Sequence, residues 1–292
     1  MALSKEQLKE VETSLIQLAQ KEIGPLIKSQ SGTKFESFED KANNVDLVTV
    51  VDKKVENIVQ EFLTKKYPDF AFVGEEGFIK GETKIGNKPT FIVDPIDGTT
   101  NFIHGYPYSC TSLGLSEGGK AVVGVVHNPH LNQTFHASKG NGAFLNGERI
   151  QVTPRPLILQ KSIIGLESGS ERAESPGSNF ETKLRTTNNL LSEKGGFIHG
   201  SRSHGSTAMD LCYVATGLLD AYWEGGPWAW DVCAGWCIIE ETGGIMVGAN
   251  PGEWEIPLEN RRYFAVRGGA KKEEQNWFVE SLWSHVEGQL SY

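Results

Sequence analysis

The residues with the clearest chemical potential are two carboxylates at the end of a short apolar run. Phe91-Ile92-Val93 leads directly into Asp94, and Asp97 follows three residues later across Pro95. The apolar run predicts a buried strand that stops at Pro95, because proline donates no hydrogen bond to a sheet. Gly98-Thr99-Thr100 then predicts the start of a helix, whose free N–H groups can bind an oxyanion. Hard oxygen ligands beside an anion cradle indicate a divalent cation that meets a phosphate.

A structural turn is the alternative explanation for this stretch, since Asp-Pro and Asp-Gly are common turn dipeptides and aspartate also caps helices. The charge of the chain bears on the choice. Its 292 residues carry a formal net charge of −9, so the chain has no electrostatic footprint for nucleic acid or an anionic membrane. An acidic chain repels a phosphate unless bound cations reverse the local field, which disfavours a metal-free phosphate enzyme.

The cysteines and the sequence ends indicate the compartment. No C-x-x-C pair occurs among the four cysteines, so we expect buried free thiols in a reducing compartment: Cys110, Cys212, Cys233 and Cys237. The first residues lack the apolar run of a signal peptide, and no stretch reaches the length of a transmembrane helix. We therefore expect a cytoplasmic protein.

Two helices are predicted before the central carboxylates. Apolar residues at three- and four-residue steps predict a helix over residues 4–23 that stops near Gly24-Pro25. Residues 29–44 predict a mobile polar loop that contains Lys41. A second helix begins near Asp52, where Thr49-x-x-Asp52 resembles a capping pattern, and its predicted apolar stripe is Val51, Val55, Ile58, Val59 and Phe62. Asp52 is explained by capping alone or by a functional role in the first turn.

The middle of the chain predicts an antiparallel sheet. A short strand over residues 70–73 runs into Glu75, and four strands follow between residues 108 and 152. Asn146-Gly147, directly after the last of these strands, is a two-residue hairpin signal. Around residues 154–156 the composition shifts, which predicts a soft boundary between two halves of the chain.

Strands and helices alternate in the second half. Strands are predicted over residues 162–165, 221–224, 245–247 and 263–266. Another strand is predicted to begin at residue 197 and to run into a glycine- and hydroxyl-rich turn that ends at residue 207. Helices are predicted over residues 180–191, 206–216, 230–241 and 277–286. Acidic or anion-binding groups then stand where strands end and helices begin, at Glu75, Asp94 and Asp97, Gly205-Ser206-Thr207 and Asp231. Open α/β architectures place ligands at such edges, although Asp231 by itself could be a helix cap.

Two segments resemble one known family. The run from Ile92 to Phe102 resembles the signature of the inositol monophosphatase family of magnesium-dependent, lithium-sensitive phosphatases. Trp230-Asp231-Val232-Cys233-Ala234-Gly235, continuing to Gly243-Gly244, resembles the second signature of that family. The resemblance extends over residues 5–270 and implies a layered sandwich of the α+β or α/β class, with alternating α-β-α-β-α layers as in inositol monophosphatases and fructose bisphosphatases. It also implies a homodimer.

The boundary predicted from composition gives an N-terminal half, residues 1–153, and a C-terminal half, residues 154–292, in one compact unit. The resemblance implies that the first half holds the metal-binding motif and the second the substrate contacts. It implies two or three Mg²⁺ ions held by Glu75, Asp94, the backbone carbonyl of Ile96, Asp97 and Asp231. Catalytic roles fall on Asp52, Glu75 and Thr99, of which Asp52 and Thr99 would orient the attacking water. The phosphorylated polyol would contact Glu75, Asp97, Gly98, Thr99, Gly205, Ser206, Thr207, Glu224 and Asp231. Lys41 either matches a loop lysine near the metals or is a solvated surface residue.

The predicted activity is Mg²⁺-dependent hydrolysis of myo-inositol monophosphate by an activated water. Carboxylate oxygens select Mg²⁺ rather than zinc, and the chemistry requires no covalent intermediate. One alternative is a relative that cleaves another small ester, such as a nucleotide 3′-phosphate, fructose 1,6-bisphosphate, histidinol phosphate or a sugar phosphate. The other alternative is a non-catalytic inositol-phosphate-binding protein.

Overall fold

A computed structural model describes residues 2–32, 39–40, 47–48, 50–79 and 85–292 of the chain. Its first helices are α1, Lys5–Leu18, and α2, Gly24–Gln30, which a π-helical turn over Ala19–Ile23 joins into one rod. Helix α3 spans Val50–Lys66. Strands β1, Glu39–Asp40, and β2, Leu47–Val48, form a separate antiparallel pair.

A seven-stranded sheet has its strands in sequence order from β3 to β9. Only its first pair is parallel, and every other pair is antiparallel. The strands are β3 Ala71–Gly74, β4 Thr90–Asp97, β5 Cys110–Glu117, β6 Lys120–Asn128, β7 Gln133–Ser138, β8 Gly142–Leu145 and β9 Glu148–Arg149. Helix α4, Thr99–His104, follows β4 directly.

A five-stranded mixed sheet with order β11-β10-β12-β14-β13 makes the second half of the fold. Its strands are β10 Ile163–Leu166, β11 Gly200–Arg202, β12 Ala221–Gly225, β13 Ile245–Val247 and β14 Arg262–Val266. The helices of this half are α5 Asn179–Leu191, α6 Thr207–Thr216, α7 Ala229–Glu241 and α8 Lys272–Trp283.

Three apolar clusters bind these elements into five layers. Helices α1, α2 and α3 cover one face of the seven-stranded sheet, where Leu15 and Val55 belong to the same buried cluster as Val93. Helices α6 and α7 fill the space between the two sheets. Leu190 of α5 and Phe278 of α8 pack with Trp223 on the outer face of the five-stranded sheet. The predicted α-β-α-β-α layered sandwich is confirmed.

The first helical rod is longer than the sequence predicted. It passes through Gly24-Pro25 and ends at Gln30, because the π-helical turn shifts the hydrogen-bond pattern by one residue just before the proline. Pro25 then stands in the first turn of α2, where a missing N–H costs little.

Strand β4 also continues past the predicted stop at Pro95. The neighbouring strand β3 pairs with β4 only as far as Val93, and the register with β5 shifts between Asp94 and Asp97. Pro95 therefore lies in a bulge where neither neighbour requires its missing N–H.

Other predicted boundaries change for local reasons. The stripe of α3 runs through the fully buried Leu63, four residues after Val59, and leaves the predicted Phe62 37% exposed. Phe197 is not in a strand, since it has a φ of 46° and the strand begins at Gly200. Helix α8 begins five residues early because Glu274 accepts a hydrogen bond from the N–H of Lys271 and caps the helix there.

The remaining predictions have mixed outcomes. All four cysteines are free and buried, as expected. Lys41, Thr49 and most of the predicted 29–44 loop lie outside the described residues, although Ser29 and Gln30 end helix α2. In the described parts of the chain no helix has the length and apolar content needed to span a bilayer. The boundary near residues 154–156 stays a prediction.

Candidate active site

Asp94 lies beside the first turn of α7, because of the pleat of β4 and a hydrogen bond from β5 to α7. Ile92 and Asp94 share the face of β4 that packs toward α7, because alternate strand residues point the same way. Ser112 lies opposite Asp94 in the register of β5, and its hydroxyl donates to the carbonyl of Trp230 at 2.9 Å. The next residue is Asp231. As a result, one carboxylate oxygen from each of Asp94, Asp97 and Asp231 lies within 4.8 Å of the others.

Asp97 is anchored to the start of α6. Its Oδ2 accepts the N–H of Ala208 at 2.9 Å, the hydroxyl of Ser206, and the thiol of Cys110 at 3.8 Å. These three donors fix the rotamer of a side chain that is only 7% exposed. Asp97 therefore offers its other oxygen to the carboxylate group.

Asp231 fits both explanations that the sequence left open. Its Oδ2 accepts the N–H of Trp228 at 2.6 Å, which caps α7, and the carboxylate also belongs to the group of three. Capping orients this carboxylate, so the two roles are compatible.

Without a cation, the three carboxylates repel one another when they are ionised. Burial, and then the charges of Glu75, Asp97 and Asp231, raise the pKa of Asp94 well above its ordinary value. Burial likewise raises the pKa of Asp97 to about 6, although its hydrogen bonds oppose that change. Among the described residues the buried Oδ1 of Asp94 has no hydrogen-bond partner. An all-oxygen donor set with an orphaned buried oxygen fits a hard divalent cation.

Glu75 lies next to this group but outside its tight core. It follows β3, and its N–H donates to the carbonyl of Val93 at 3.2 Å, which places it beside the end of β4. Its side chain is partly exposed, and its charge raises the pKa of both Asp94 and Asp231. Its assignment as a metal ligand stays a prediction.

Asp52, Thr99 and the carbonyl of Ile96 converge on one hydroxyl. Thr99 Oγ1 lies 3.2 Å from Asp52 Oδ1 and 3.0 Å from the Ile96 oxygen. Asp52 is fully buried in the first turn of α3, so tertiary packing brings this carboxylate to Thr99 across 47 residues of sequence. A carbonyl oxygen has two lone pairs, so Ile96 keeps acceptor capacity beyond its bond with Thr99.

Gly98 makes the junction between β4 and α4 possible. It has a φ of 81°, and a Cβ at this position would lie 2.8 Å from the carbonyl oxygen of Tyr108. Only glycine allows this left-handed turn so close to neighbouring backbone. The phosphate contacts of the Gly98 and Thr99 N–H groups stay a prediction.

Four of the predicted polyol contacts lie together at the start of α6 and in β12, which we call the polyol side of the cleft. Gly205, Ser206 and Thr207 begin α6, and Glu224 is buried in β12 on the face that points toward α6. Tyr222 donates to the Glu224 carboxylate, and Thr207 Oγ1 lies 3.4 Å from it. Burial raises the pKa of Glu224 to about 7.

Ser206 has contacts that the sequence did not indicate. Its hydroxyl donates to Asp97 and accepts the N–H of Met209 at 3.3 Å, which caps α6. The hydroxyl is thus committed to positioning a carboxylate of the site. A direct contact between Ser206 and a polyol stays a prediction.

A single cleft of about 720 Å³ joins both groups of residues. Its wall includes seven of the predicted site residues: Glu75, Asp97, Gly205, Ser206, Thr207, Glu224 and Asp231. Asp52, Asp94 and Ile96 stand behind this wall as buried residues.

Several residues that shape the cleft were not assigned a role from the sequence. Glu167, which follows β10, accepts the N–H groups of His204 at 2.5 Å and Gly205 at 2.9 Å, and so holds the loop before α6. Asn101, inside the first signature, donates to the carbonyl of His204 at 2.6 Å. Lys183, Arg261 and Tyr292 also line the cleft, and none belongs to a local motif.

Known proteins are similar to this chain in sequence and in fold. Residues 7–287 match the profile of the inositol monophosphatase family. The chain is 66% identical over 292 residues to inositol monophosphatase 2 of Saccharomyces cerevisiae, with 100% of both chains covered. It is 49% identical to inositol monophosphatase 1 of the same yeast, with 98% of both chains covered.

A solved structure agrees with these sequence matches. The extragenic suppressor protein suhB from Bartonella henselae superposes with a TM-score of 0.78 at 32% identity, covering 94% of this chain and 98% of that one. The resemblance drawn from the two signatures is confirmed: the chain belongs to the inositol monophosphatase family.

Proposed function

We propose that the chain hydrolyses myo-inositol monophosphate to inositol and phosphate, with magnesium as cofactor. The observation that carries the proposal is the convergence of Asp94, Asp97 and Asp231 within 4.8 Å at one end of a polar cleft. The names of the yeast relatives support the substrate.

Magnesium would be held by Asp94, Asp97, Asp231, Glu75 and the carbonyl of Ile96. When bound, the ions neutralise phosphate charge and acidify the attacking water. We propose two ions, with a third as the upper limit. The orphaned oxygen of Asp94 and the mutual repulsion of the carboxylates support a cation at this place.

The hydroxyl of Thr99 would orient the attacking water. Because this hydroxyl donates toward Asp52, its oxygen is free to accept a hydrogen bond from the water. The water then keeps a lone pair directed at phosphorus, and Asp52 receives the proton through Thr99. The N–H groups of Gly98 and Thr99 would take phosphate oxygens as the reaction proceeds.

The polyol would occupy the opposite side of the cleft. Glu224 offers a carboxylate to ring hydroxyl groups, and Gly205 and Thr207 stand at the edge of the same space. A leaving group without hydroxyl donors would leave this buried carboxylate unpaired, so the site discriminates against such leaving groups.

Phosphate release from a panel of esters tests the proposal. Inositol 1-phosphate, adenosine 3′-phosphate, histidinol phosphate, fructose 1,6-bisphosphate and a sugar phosphate are compared with Mg²⁺ and with a chelator. We expect the highest kcat/KM with inositol 1-phosphate and no release with chelator. A preference for another ester would favour a phosphatase of the same family that acts on that ester. Binding of inositol 1-phosphate without phosphate release would favour a non-catalytic inositol-phosphate-binding protein.

Three finer properties belong to the same proposal. We propose that lithium inhibits the enzyme, that it works in the cytoplasm, and that it forms a homodimer. The family resemblance supports lithium inhibition and the homodimer, and the four free, buried cysteines support a reducing compartment such as the cytoplasm. Lithium titration of the hydrolysis rate, fractionation of cells and light scattering of the purified chain test them in turn.

A further inference from the structure

Residues 288–292 end at the cleft, where Tyr292 is part of the lining. Ser291 exchanges two backbone hydrogen bonds with the side chain of Asn179, at 2.6 and 2.7 Å. Leu290 does the same with Asn250, at 3.0 and 2.9 Å, and its side chain is 1% exposed in the outer apolar cluster. Two buried asparagines therefore hold the backbone of Leu290 and Ser291 by paired hydrogen bonds, which fixes the position from which Tyr292 reaches the cleft.

This anchoring places the ring of Tyr292 on the loop that follows β12. A Cβ on Gly225 would lie 2.5 Å from the ring, and one on Gly226 would lie 3.4 Å from it. The two glycines let the ring pack directly on backbone. Because Gly225 and Gly226 lead into Trp228 and α7, Tyr292 contacts the connection between the polyol side and the carboxylate side of the cleft.

Arg261 lies between Tyr292 and Trp228. Its guanidinium is 3.5 Å from the centre of the Trp228 ring and 5.2 Å from the centre of the Tyr292 ring. One nitrogen donates to the Gly226 carbonyl at 2.5 Å. The stack of two rings and one cation is rigid, and all three residues line the cleft.

The hydroxyl of Tyr292 does not explain the placement of this residue. It is buried and has no hydrogen-bond partner in the described part of the chain. Tyr292 is part of the cleft lining, and its ring makes up most of the side chain. Aromatic rings offer a large apolar face, and the C–H face of a cyclitol is the apolar surface of an otherwise polar alcohol.

We infer that Tyr292 is a specificity-determining residue: its ring forms a wall that packs on a cyclitol and excludes larger alcohols from the polyol side. The inference rests on the proposed function. It assigns to residues 288–292 a role that neither family signature contains.

The test compares two leaving groups in Tyr292→Ala. We expect the ratio of kcat/KM for inositol 1-phosphate to kcat/KM for adenosine 3′-phosphate to fall about tenfold, because the wall that favours the smaller ring is removed. Tyr292→Phe keeps the ring and is expected to restore the ratio. Trp277→Ala removes an aromatic that is 53% exposed on α8, outside the cleft lining, and should leave the ratio unchanged.

Asn250→Ala provides an independent arm. It releases Leu290 without touching the ring, so the ratio should fall in the same direction as in Tyr292→Ala, with the thermal midpoint measured to confirm folding. A ratio within twofold of the parent in Tyr292→Ala would overturn the inference, as would an equal loss in Tyr292→Phe. If the unaltered chain released phosphate from neither ester, the proposed function would fail and the inference with it.

Discussion

At the residue scale, the site is a balance between repulsion and anchoring. Asp94 has a buried oxygen without a hydrogen-bond partner in the described residues, whereas Asp97 and Asp231 each have one oxygen fixed by protein donors. The fixed oxygens set the orientation of the carboxylates, and one oxygen from each of the three residues lies within 4.8 Å of the others. Such a group is costly without a cation and well prepared for one.

Asp97→Asn tests the charge of the group. The amide keeps an oxygen for the donors from Ser206 and Ala208, so the thermal midpoint should stay the same or rise as repulsion falls. We expect phosphate release to drop about 100-fold or more, because a cation loses a charged ligand. The exposed Asp69→Asn is the matched control. Normal turnover by Asp97→Asn would show that Asp97 is not required for catalysis or metal binding.

Ser206→Ala separates positioning from substrate contact. If Ser206 acts through Asp97, the Mg²⁺ concentration for half-maximal activity rises about tenfold while the KM for the ester changes little. Loss of the cap of α6 should also lower stability by about 1 kcal/mol. Ser206→Thr retains a hydroxyl and serves as control. A raised KM with unchanged Mg²⁺ activation would instead indicate a direct contact with the polyol.

At the element scale, the site depends on how β4 ends. The bulge at Pro95 separates Asp94 from Asp97, and the left-handed Gly98 turns the chain into α4. The sequence predicted a strand end, a turn and a helix start in this order. It did not predict that the strand continues through the proline, because that depends on how far β3 and β5 extend beside it.

Gly98→Ala tests this junction. The new methyl group would meet the Tyr108 carbonyl at 2.8 Å in addition to adopting a left-handed φ. We expect a loss of about 3 kcal/mol in the free energy of unfolding and little activity. Gly147→Ala is matched in φ, at 84°, but meets nothing within 4 Å, so it should cost about 1 kcal/mol. Equal stability losses in urea titrations of the two variants would show that backbone strain alone matters at Gly98.

At the scale of the whole molecule, the layers bring distant parts of the chain to one cleft. Helix α3 supplies Asp52, the seven-stranded sheet supplies Asp94 and Asp97, and the layer between the sheets supplies Asp231. Burying this much negative charge makes stability depend on pH and on cations.

The contribution of Asp97 to the free energy of unfolding of the metal-free chain should fall as pH rises from about 4 to 6. The folded-state pKa of Asp97 is about 6 and lies above its ordinary 3.8, so in this window Asp97 binds more protons in the folded chain than in the unfolded one. Mg²⁺ requires ionised carboxylates and should therefore stabilise the chain more at pH 8 than at pH 5.

Thermal midpoints with Mg²⁺ and with chelator, at both pH values, check this dependence. Mg²⁺ at 100 times its Kd stabilises by ~2.7 kcal/mol, which corresponds to about 5 °C in a chain of this size. An equal shift at pH 5 and pH 8 would contradict a site built from these carboxylates.

Residue types and their local order allowed most helices, most strands and the acidic site residues to be predicted from the sequence. Asp94-Pro95-Ile96-Asp97-Gly98 has an unusual order. The hairpin predicted at Asn146-Gly147 from its residue types is confirmed, since both residues have a positive φ and β8 pairs with β9 across them. Apolar periodicity located most helices and strands. It misplaced Phe62 and the break at Pro25, where a neighbouring layer or a π-helical turn overrides the local pattern.

The sequence by itself determined the family, the layered fold and the acidic residues around which the site is built, because these depend on local residue types and their order. Only the tertiary structure decided that Ser206 donates to Asp97, that Glu167 holds the loop before α6, and that Tyr292 reaches the cleft. Each of these contacts joins residues far apart in the chain. Their distances follow from how the two sheets pack on α6 and α7, and no spacing in the sequence encodes that packing.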